Sequence, residues 1–443
     1  MPDTTNGASK EVSLPNAADV VVLGGGPSGS SAAGFLSKQG YEVVVLEKLR
    51  HPRDVVGESL IPHFWKYTDL LGASDAIVDA QFVPKSGAVQ TWAGRSQRMN
   101  FGRFGYDKPP LHVERAEFDH ILLQNCERLG ATVSEETQAK KVEFGDDYAD
   151  VTYVRGGDEG TIRARYVVDS TGQSALVSKQ EGMRDFDPNF RYMAMWAYFT
   201  GGSYTNYDGE KHPTDAWRDH APVTYVSSIG DPGHSWLWHI LLKEKTSVGL
   251  ILSRDYADRL KAQGIPFKDE YFRLVRETPI FGELMEGAEY IEDSFSAIRD
   301  YAYAARDFVI GERCYVAGDG AAFVDPINSV GVPFSMYTGY LASWCIDQHL
   351  KATGRDVNSF YRQQLSNRIS VYKILALPPH LDDPAESEVE LFYEAVRQER
   401  ELEQELILVQ SRLTNRPDRI RAYYERGGLS TETDKILPWE KQW

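Results

Sequence analysis

The first residues able to do chemistry form a glycine-rich turn. The stretch DVVVLGGGPSGSSAAGFLSKQGYEVVVLEK carries Gly24-x-Gly26-x-x-Gly29 between an apolar run and a helical one. Gly24 permits a tight turn, Gly26 lets a pyrophosphate approach the backbone, and Gly29 brings the helix close to the strand. The anion would sit at the helix N-terminus, where unpaired N–H groups and the dipole favour it. Pro27 and Ser28, between Gly26 and Gly29, are assigned to the same cradle. Glu47 follows eighteen residues after Gly29, placed to accept hydrogen bonds from an adenosine ribose, with Lys48 beside it. A dinucleotide fits this pattern, and the pattern does not choose NAD over FAD. The bland alternative is a structural turn with an incidental glutamate.

Several elements must hold these residues. Val20–Leu23 is a short continuous apolar run, as a buried parallel strand requires. Ser28–Gln39 reads as a helix and Val43–Leu46 as the next strand. Ala164–Thr171, closed by Gly172, reads as another strand of the same sheet. Tyr315–Ala317 reads as a strand ending in Gly318-Asp319, where an acid could hold a ribitol hydroxyl. From about Arg191 to Asp300 the chain is rich in Tyr, Trp and Val, with turn signals at Gly201-Gly202, Asp208-Gly209 and Asp231-Pro-Gly233. It reads as an antiparallel sheet with a long polar loop, Ser203–Ala221, as a substrate cover. Tyr192, Met193, Met195 and Trp196 could line an aromatic pocket or simply pack a core.

Composition narrows the function classes. The 443 residues, 42% apolar and 26% charged, are those of an ordinary globular chain. A formal charge of −17 argues against nucleic acid or an anionic membrane as partner. No apolar run approaches the length of a spanning helix, and the polar first eighteen residues lack an export signal, so a cytoplasmic location is expected. Three cysteines, Cys126, Cys314 and Cys345, are too scattered for a disulfide framework or a zinc site, and ten histidines show no HExxH spacing. No metal is expected. Neither a GxSxG elbow nor a P-loop occurs.

Rossmann start, middle strand and late Gly-Asp together resemble FAD-dependent monooxygenases of the hydroxylase type. Within that superfamily the sequence is most similar to the flavin-dependent halogenases, particularly the phenol and pyrrole branch. Gly57-Glu58-Ser59-Leu60 resembles their GES segment, and Phe82-Val-Pro-Lys85-x-Gly87 the segment bearing the family lysine. Phe323-x-x-Pro326-x-x-Ser329-x-Gly331 resembles the FxxPxxSxG segment beside the flavin ring. Trp236-Leu-Trp238-His-Ile240 resembles the WxWxIP signature, with Leu241 in place of its proline. The resemblance runs from about Asp19 to about Asp347.

The resemblance implies a two-component enzyme that receives FADH2 from a separate flavin reductase. A flavin C4a-hydroperoxide would turn chloride or bromide into hypohalous acid, and Lys85 would deliver the halogen to an electron-rich phenolic or pyrrolic substrate, free or tethered to a carrier protein. Secondary metabolism, such as antibiotic biosynthesis, is the setting it implies. Glu58, Ser59, Asp319, Pro326, Gly331 and Val332 would contact the flavin. Ser329, Val330 and Gly331 would bind halide, since they precede a helix read from Pro333 to about His349. Three assignments keep two readings. Lys85 is otherwise a solvated surface lysine. Trp236 and Trp238, with Phe323, either line the flavin channel or pack a half-buried strand. Arg115 either reaches the pyrophosphate or pairs with Asp119 at i+4 on its helix. His112 and His239 read as core or rim histidines rather than acid–base catalysts.

The expected fold class is α/β, a Rossmann-type FAD-binding domain interleaved with an antiparallel-sheet substrate domain and followed by a helical C-terminal region. The FAD-binding part is assigned to 19–80, 112–185 and 301–350, and the substrate part to 81–111 and 186–300. Residues 1–18 read as a disordered tail and 351–443 as helical, with an amphipathic helix from Ser387 onward. A self-contained aromatic hydroxylase is the runner-up. Such enzymes usually carry an Asp-Gly pair where this chain has Asp169-Ser170-Thr171-Gly172. A flavin-binding scaffold without turnover is the third reading.

Overall fold

The computed structural model describes residues 13–376, apart from 93–94, 100–107, 189 and 232–233. The apolar runs become the middle of a mostly parallel sheet. Its strands Cys314–Val316, Asp158–Asp169, Ala17–Leu23, Val43–Leu46 and Thr132–Ser134 lie side by side in that order, all parallel. Val20, Val21, Val22 and Leu23 are wholly buried, which is why the run shows no polar alternation. Thr137–Phe144 and Ala149–Arg155 extend the sheet as an antiparallel pair, and Val309–Ile310 closes its other edge. Strands from both ends of the described chain therefore share one sheet.

Helix α1 (Pro27–Lys38) leaves the first strand with Gly26 as its N-cap and Pro27 in its first turn. Helix α2 (Arg115–Arg128) buries Phe118 and Leu122. Helix α3 (Gly331–Leu350) begins two residues before the expected start and packs against α1. Helix α4 (Val357–Ala376) follows. The helix expected from Ser387 onward lies outside the described residues, as do residues 1–12 of the expected tail; Ala17 and Ala18 already belong to the first strand.

The second sheet runs Glu289–Tyr290, Tyr192–Thr200, Thr246–Ser253, Trp236–Leu241, Val223–Ser228, Gly87–Trp92 and Arg95–Met99. It is antiparallel except where Gly87–Trp92 lies parallel to Val223–Ser228. Those two strands are joined through α2 and the first-sheet strands between Thr132 and Asp169 rather than by a hairpin, so nothing forces them to oppose. Side chains alternate between its faces. Met193, Met195, Leu237, Leu250 and Leu252 pack with Tyr271 and Leu274 of the helix Phe267–Glu277. Tyr192, Ala194, Trp236, Trp238 and Ile240 form the opposite face, against Tyr301, Phe323 and Ile327.

The expected long polar loop Ser203–Ala221 needs correction. It folds as a two-stranded piece, Ser203–Thr205 with Lys211–Pro213, followed by a 3-10 turn, Thr214–Arg218. Tyr204 and Trp217 drive this, because both bury against Val83 and Leu241, and the Tyr204 hydroxyl donates to the His220 carbonyl. Counting polar residues missed two anchors. Leu241, at the signature's proline position, is part of that small core.

Gly339 sets the distance between α1 and α3. A Cβ there would stand 2.2 Å from the Ser28 carbonyl oxygen. Gly339→Ala is therefore expected to cost ~1–3 kcal/mol or more through overpacking, read as a lowered urea midpoint with unchanged slope.

Candidate active site

The glycine fingerprint is built as a cradle. Gly24 has φ +97°, and a Cβ on it would meet the Ser170 carbonyl at 2.4 Å. A Cβ on Gly29 would stand 1.9 Å from the Gly24 carbonyl oxygen, so α1 and its strand touch backbone to backbone. Gly318 abuts Ser28, where a Cβ would come within 2.9 Å, so the late Gly-Asp turn does meet the fingerprint. Glu47 is buried; its Oε2 accepts the Gly25 N–H at 2.7 Å and its Oε1 the Leu49 N–H at 2.9 Å. The Lys48 ammonium lies 3.3 Å from the Ser174 hydroxyl.

Two guanidinium groups stand at the mouth of this cradle. Arg53 lies against Gly26, 3.3 Å from where a Cβ would be, with its Nη1 3.4 Å from Asp119. Arg115 forms the i+4 pair with Asp119, Nε to Oδ1 at 2.9 Å and Nη2 to Oδ2 at 3.0 Å, and its Nη1 reaches the Val56 and Gly57 carbonyls. Burial works against the Arg115 charge, but Asp119 outweighs it and strengthens proton binding. The two readings of Arg115 are thus compatible in space: the pair is made, and the same side chain lines the cavity described next. These residues fit a dinucleotide, since the N-cap Gly26 makes no side-chain cap to the first N–H groups of α1 and Arg53 and Arg115 share Asp119 nearby.

A cavity of about 370 Å³ runs from Arg115 and Asp319 to the second sheet. Glu58, Ser59, Phe323 and Pro326 line it, as do Ser329, Val330, Gly331 and Val332. Trp236, Trp238 and Trp196 close the far wall. Trp236 and Trp238 are packed core residues whose rings also form cavity surface, their centroids 5.9 Å apart. Trp238 lies over Gly249 on the neighbouring strand, where a Cβ would overlap the ring at 1.9 Å. The packing reading of the tryptophans is met, and the same rings line the cavity. Of the other candidate pocket residues, only Trp196 lines the cavity; Tyr192 packs behind it, and Met193 and Met195 point to the opposite face.

Electrostatics in the cavity are set by burial. Enclosure by protein raises the Asp319 carboxyl to about 6, with Arg115 opposing the rise. Burial pushes Asp325 up to about 7, although the Ile327 N–H at 2.9 Å and the Tyr301 hydroxyl at 3.0 Å both donate to it. The Glu58 Oε1 accepts the Tyr198 hydroxyl at 2.8 Å.

Lys85 is not at the surface. It is 2% exposed, behind the cavity wall, and Nζ donates to Ser59 Oγ at 2.7 Å and Thr224 Oγ1 at 3.1 Å. Ser59 Oγ lies 3.0 Å from Ser329 Oγ, and Ser329 adopts a left-handed conformation, φ 55°, just before α3. His112 is wholly buried, with Nε2 2.8 Å from Thr224 Oγ1 and Nδ1 3.0 Å from the Leu241 carbonyl. Burial first, and Lys85 second, hold its imidazole well below the usual histidine range. His239 is also buried, its pKa lowered to about 4.

Sequence-predicted residues from five separate segments thus meet here: Ser59, Lys85, Arg115, Trp236 with Trp238, and the run from Asp319 to Val332. Sequence reasoning missed Thr224, Arg53, Tyr301 and Asp325. Thr224 sits in an ordinary alternating strand, VTYVSS, with no motif around it. Asp169, the acid of the middle stretch, is spent on the turn that follows, accepting Thr171 and Val177 backbone N–H groups at 3.1 and 2.8 Å. Among the described residues no group of three or more His, Cys, Asp or Glu could hold a metal ion, and no helix is long and apolar enough to cross a membrane.

Fold and cradle define a dinucleotide-binding protein, and residues 17–199 match the FAD binding domain family, which makes it a flavoprotein. The chain is 30% identical over 369 residues to the flavin-dependent halogenase armH4 of Armillaria mellea, covering 77% of this chain and 67% of that one. It belongs to the flavin-dependent halogenases. It is also 30% identical over 336 residues to the tryptophan 2-halogenase of Chondromyces crocatus, covering 74% of this chain but spanning only 61% of that relative. The myxobacterial chondrochloren halogenase CndH, described as a variant of FAD-dependent halogenases, superposes with a TM-score of 0.74 at 25% identity, over 90% of this chain and 98% of the other.

The Asp325 carboxyl gives a pH test. Its folded pKa, about 7, is raised above the ordinary aspartate value, so its contribution to stability is full in acid and is lost as pH rises toward 7. Asparagine keeps an acceptor for Ile327 and can donate to Tyr301. Asp325→Asn should therefore stabilise the ligand-free protein by up to ~4 kcal/mol near pH 8, with the gain vanishing near pH 4. Equal effects in urea melts at both pH values would exclude this account.

Proposed function

We propose that this protein is a two-component FADH2-dependent halogenase acting on an electron-rich phenolic or pyrrolic substrate in secondary metabolism. The observation that carries the reading is the link from buried Lys85 through Ser59 to Ser329, at the turn that opens α3 beside the cavity.

Bound reduced FAD, supplied by a separate reductase, provides with dioxygen the oxidising power that converts chloride or bromide to hypohalous acid. In this reading Gly24, Gly26, Pro27, Ser28 and Gly29 cradle the pyrophosphate, Glu47 and Lys48 hold the ribose end, and Arg115 neutralises phosphate charge. Glu58, Asp319, Pro326 and Val332 border the flavin. Ser329, Val330 and Gly331 hold the halide at the start of α3, where free N–H groups and the dipole favour an anion by ~0.3–1 kcal/mol, or up to ~2 when partly buried. Trp236, Trp238 and Phe323 exclude water with apolar surface. The Lys85 side chain, reached through Ser59, orients the oxidised halogen and aims it at the aromatic carbon. A carrier-tethered substrate and a free one would enter the same chemistry.

Lys85→Ala should abolish halogenation while FAD still binds. The assay combines a flavin reductase, NADH, bromide and a panel of phenols and pyrroles, read by mass. A bromine isotope doublet with the parent and none with the variant is the expected result. Parental turnover by Lys85→Ala would remove Lys85 from the mechanism. Gain of one oxygen atom with no bromide dependence would replace halogenation by hydroxylation.

A further inference from the structure

The hydroxyl groups around Lys85 have only one consistent direction of donation. A carbonyl oxygen can only accept, so the Nδ1 of His112, 3.0 Å from the Leu241 oxygen, carries the imidazole proton. With the ring neutral in its buried site, Nε2 is bare and accepts from the Thr224 hydroxyl at 2.8 Å. That uses the one proton of Thr224. Its lone pairs are left to accept from Lys85 Nζ at 3.1 Å and from the Ser59 hydroxyl at 2.9 Å. Ser59, which also accepts from Lys85 at 2.7 Å, has its own proton on Thr224. The 3.0 Å contact with Ser329 is therefore a donation from Ser329 to Ser59.

We propose that His112 and Thr224 are positioning residues for Lys85, the imidazole turning the Thr224 hydroxyl so that its acceptor side faces the amine. The imidazole is wholly buried and does not line the cavity, whereas Thr224 does, so the ring acts through Thr224 on the lysine and not on a substrate. Without that orientation, Thr224 could donate toward Lys85 and Ser59, and the amine would lose one of its two hydroxyl acceptors. A second consequence follows along the row. Ser329 spends its proton on Ser59, so it offers lone pairs to the cavity: a halide there is held by backbone N–H groups, while a protonated hypohalous acid can donate to Ser329.

The functional arm of this inference rests on the halogenase reading, and the spectroscopic arm does not. Thr224→Val keeps the side-chain shape and removes the hydroxyl; Thr224→Ser keeps the hydroxyl. In protein enriched with ¹⁵N-histidine, the His112 resonances, identified by their loss in His112→Gln, should be those of the neutral Nδ1–H tautomer. In protein enriched with ¹⁵Nζ-lysine, the Lys85 signal, identified with Lys85→Ala, should shift or broaden in Thr224→Val and hold in Thr224→Ser. In the bromination assay Thr224→Val should lower kcat by about tenfold, the scale of one lost charge-assisted hydrogen bond, with KM for the aromatic little changed and FAD binding intact. Thr224→Ser should restore most of the rate. An Nε2-protonated His112, or a Lys85 signal indifferent to Thr224→Val, overturns the inference. So does parental bromination by Thr224→Val, or a Thr224→Ser variant as slow as Thr224→Val. If the parent does not brominate at all, the halogenase reading fails and the two resonances alone decide the positioning.

Discussion

Burying an amine is the demand to which the rest of the structure answers. Lys85 is taken out of water, and a desolvated cation costs several kcal/mol unless acceptors meet it. Its acceptors come from far away in the chain: Ser59 from the segment after the first strand pair and Thr224 from the middle of the second sheet, with Ser329 at the turn before α3 beside Ser59. None of these can be supplied locally by the stretch Phe82–Gly87. The second sheet must therefore meet the Gly57–Ser59 segment and the turn before α3 along this line, and the cavity lies between that sheet and the run from Asp319 to Val332.

Residue chemistry made some of this legible in the sequence and not the rest. Gly24, Gly26 and Gly29 announce themselves because the backbone approach they allow is local, and the burial of Val20–Leu23 follows from an unbroken apolar run. Lys85 became visible only through family resemblance, since nothing in its neighbours distinguishes a buried lysine from a solvated one. Thr224 stayed hidden, and His112 was legible only as a core or rim histidine, because their meeting depends on how distant strands are placed, and that is non-local. The same cause hid the parallel pairing of Gly87–Trp92 with Val223–Ser228, and the burial of Tyr204 and Trp217 that turns an expected loop into folded structure.

Two residues that looked like a choice between packing and lining the cavity do both. Trp238 fills the space left by Gly249 across the strand pair and also presents ring surface to the cavity. A core-packed ring keeps one rotamer, so this wall of the cavity is rigid. Arg115 shows the same economy, locked to Asp119 while lining the cavity. The acidic surface implied by a charge of −17 is offset at the site by Arg53 and Arg115 and by the N-terminus of α3.

The parallel sheet has a consequence for how the chain is made. Val167, Val168 and Asp169 pair on one side with Val21, Val22 and Leu23, and on the other with Cys314, Tyr315 and Val316. The second partner is synthesised about 145 residues after the strand it joins. At a translation rate of about 5–20 residues per second, that edge stays open for roughly 7–30 s on the ribosome. An open, apolar edge is a template for wrong pairing. Cells expressing this protein must bridge that interval, so soluble yield should follow elongation speed and chaperone supply as closely as it follows the stability of the finished fold.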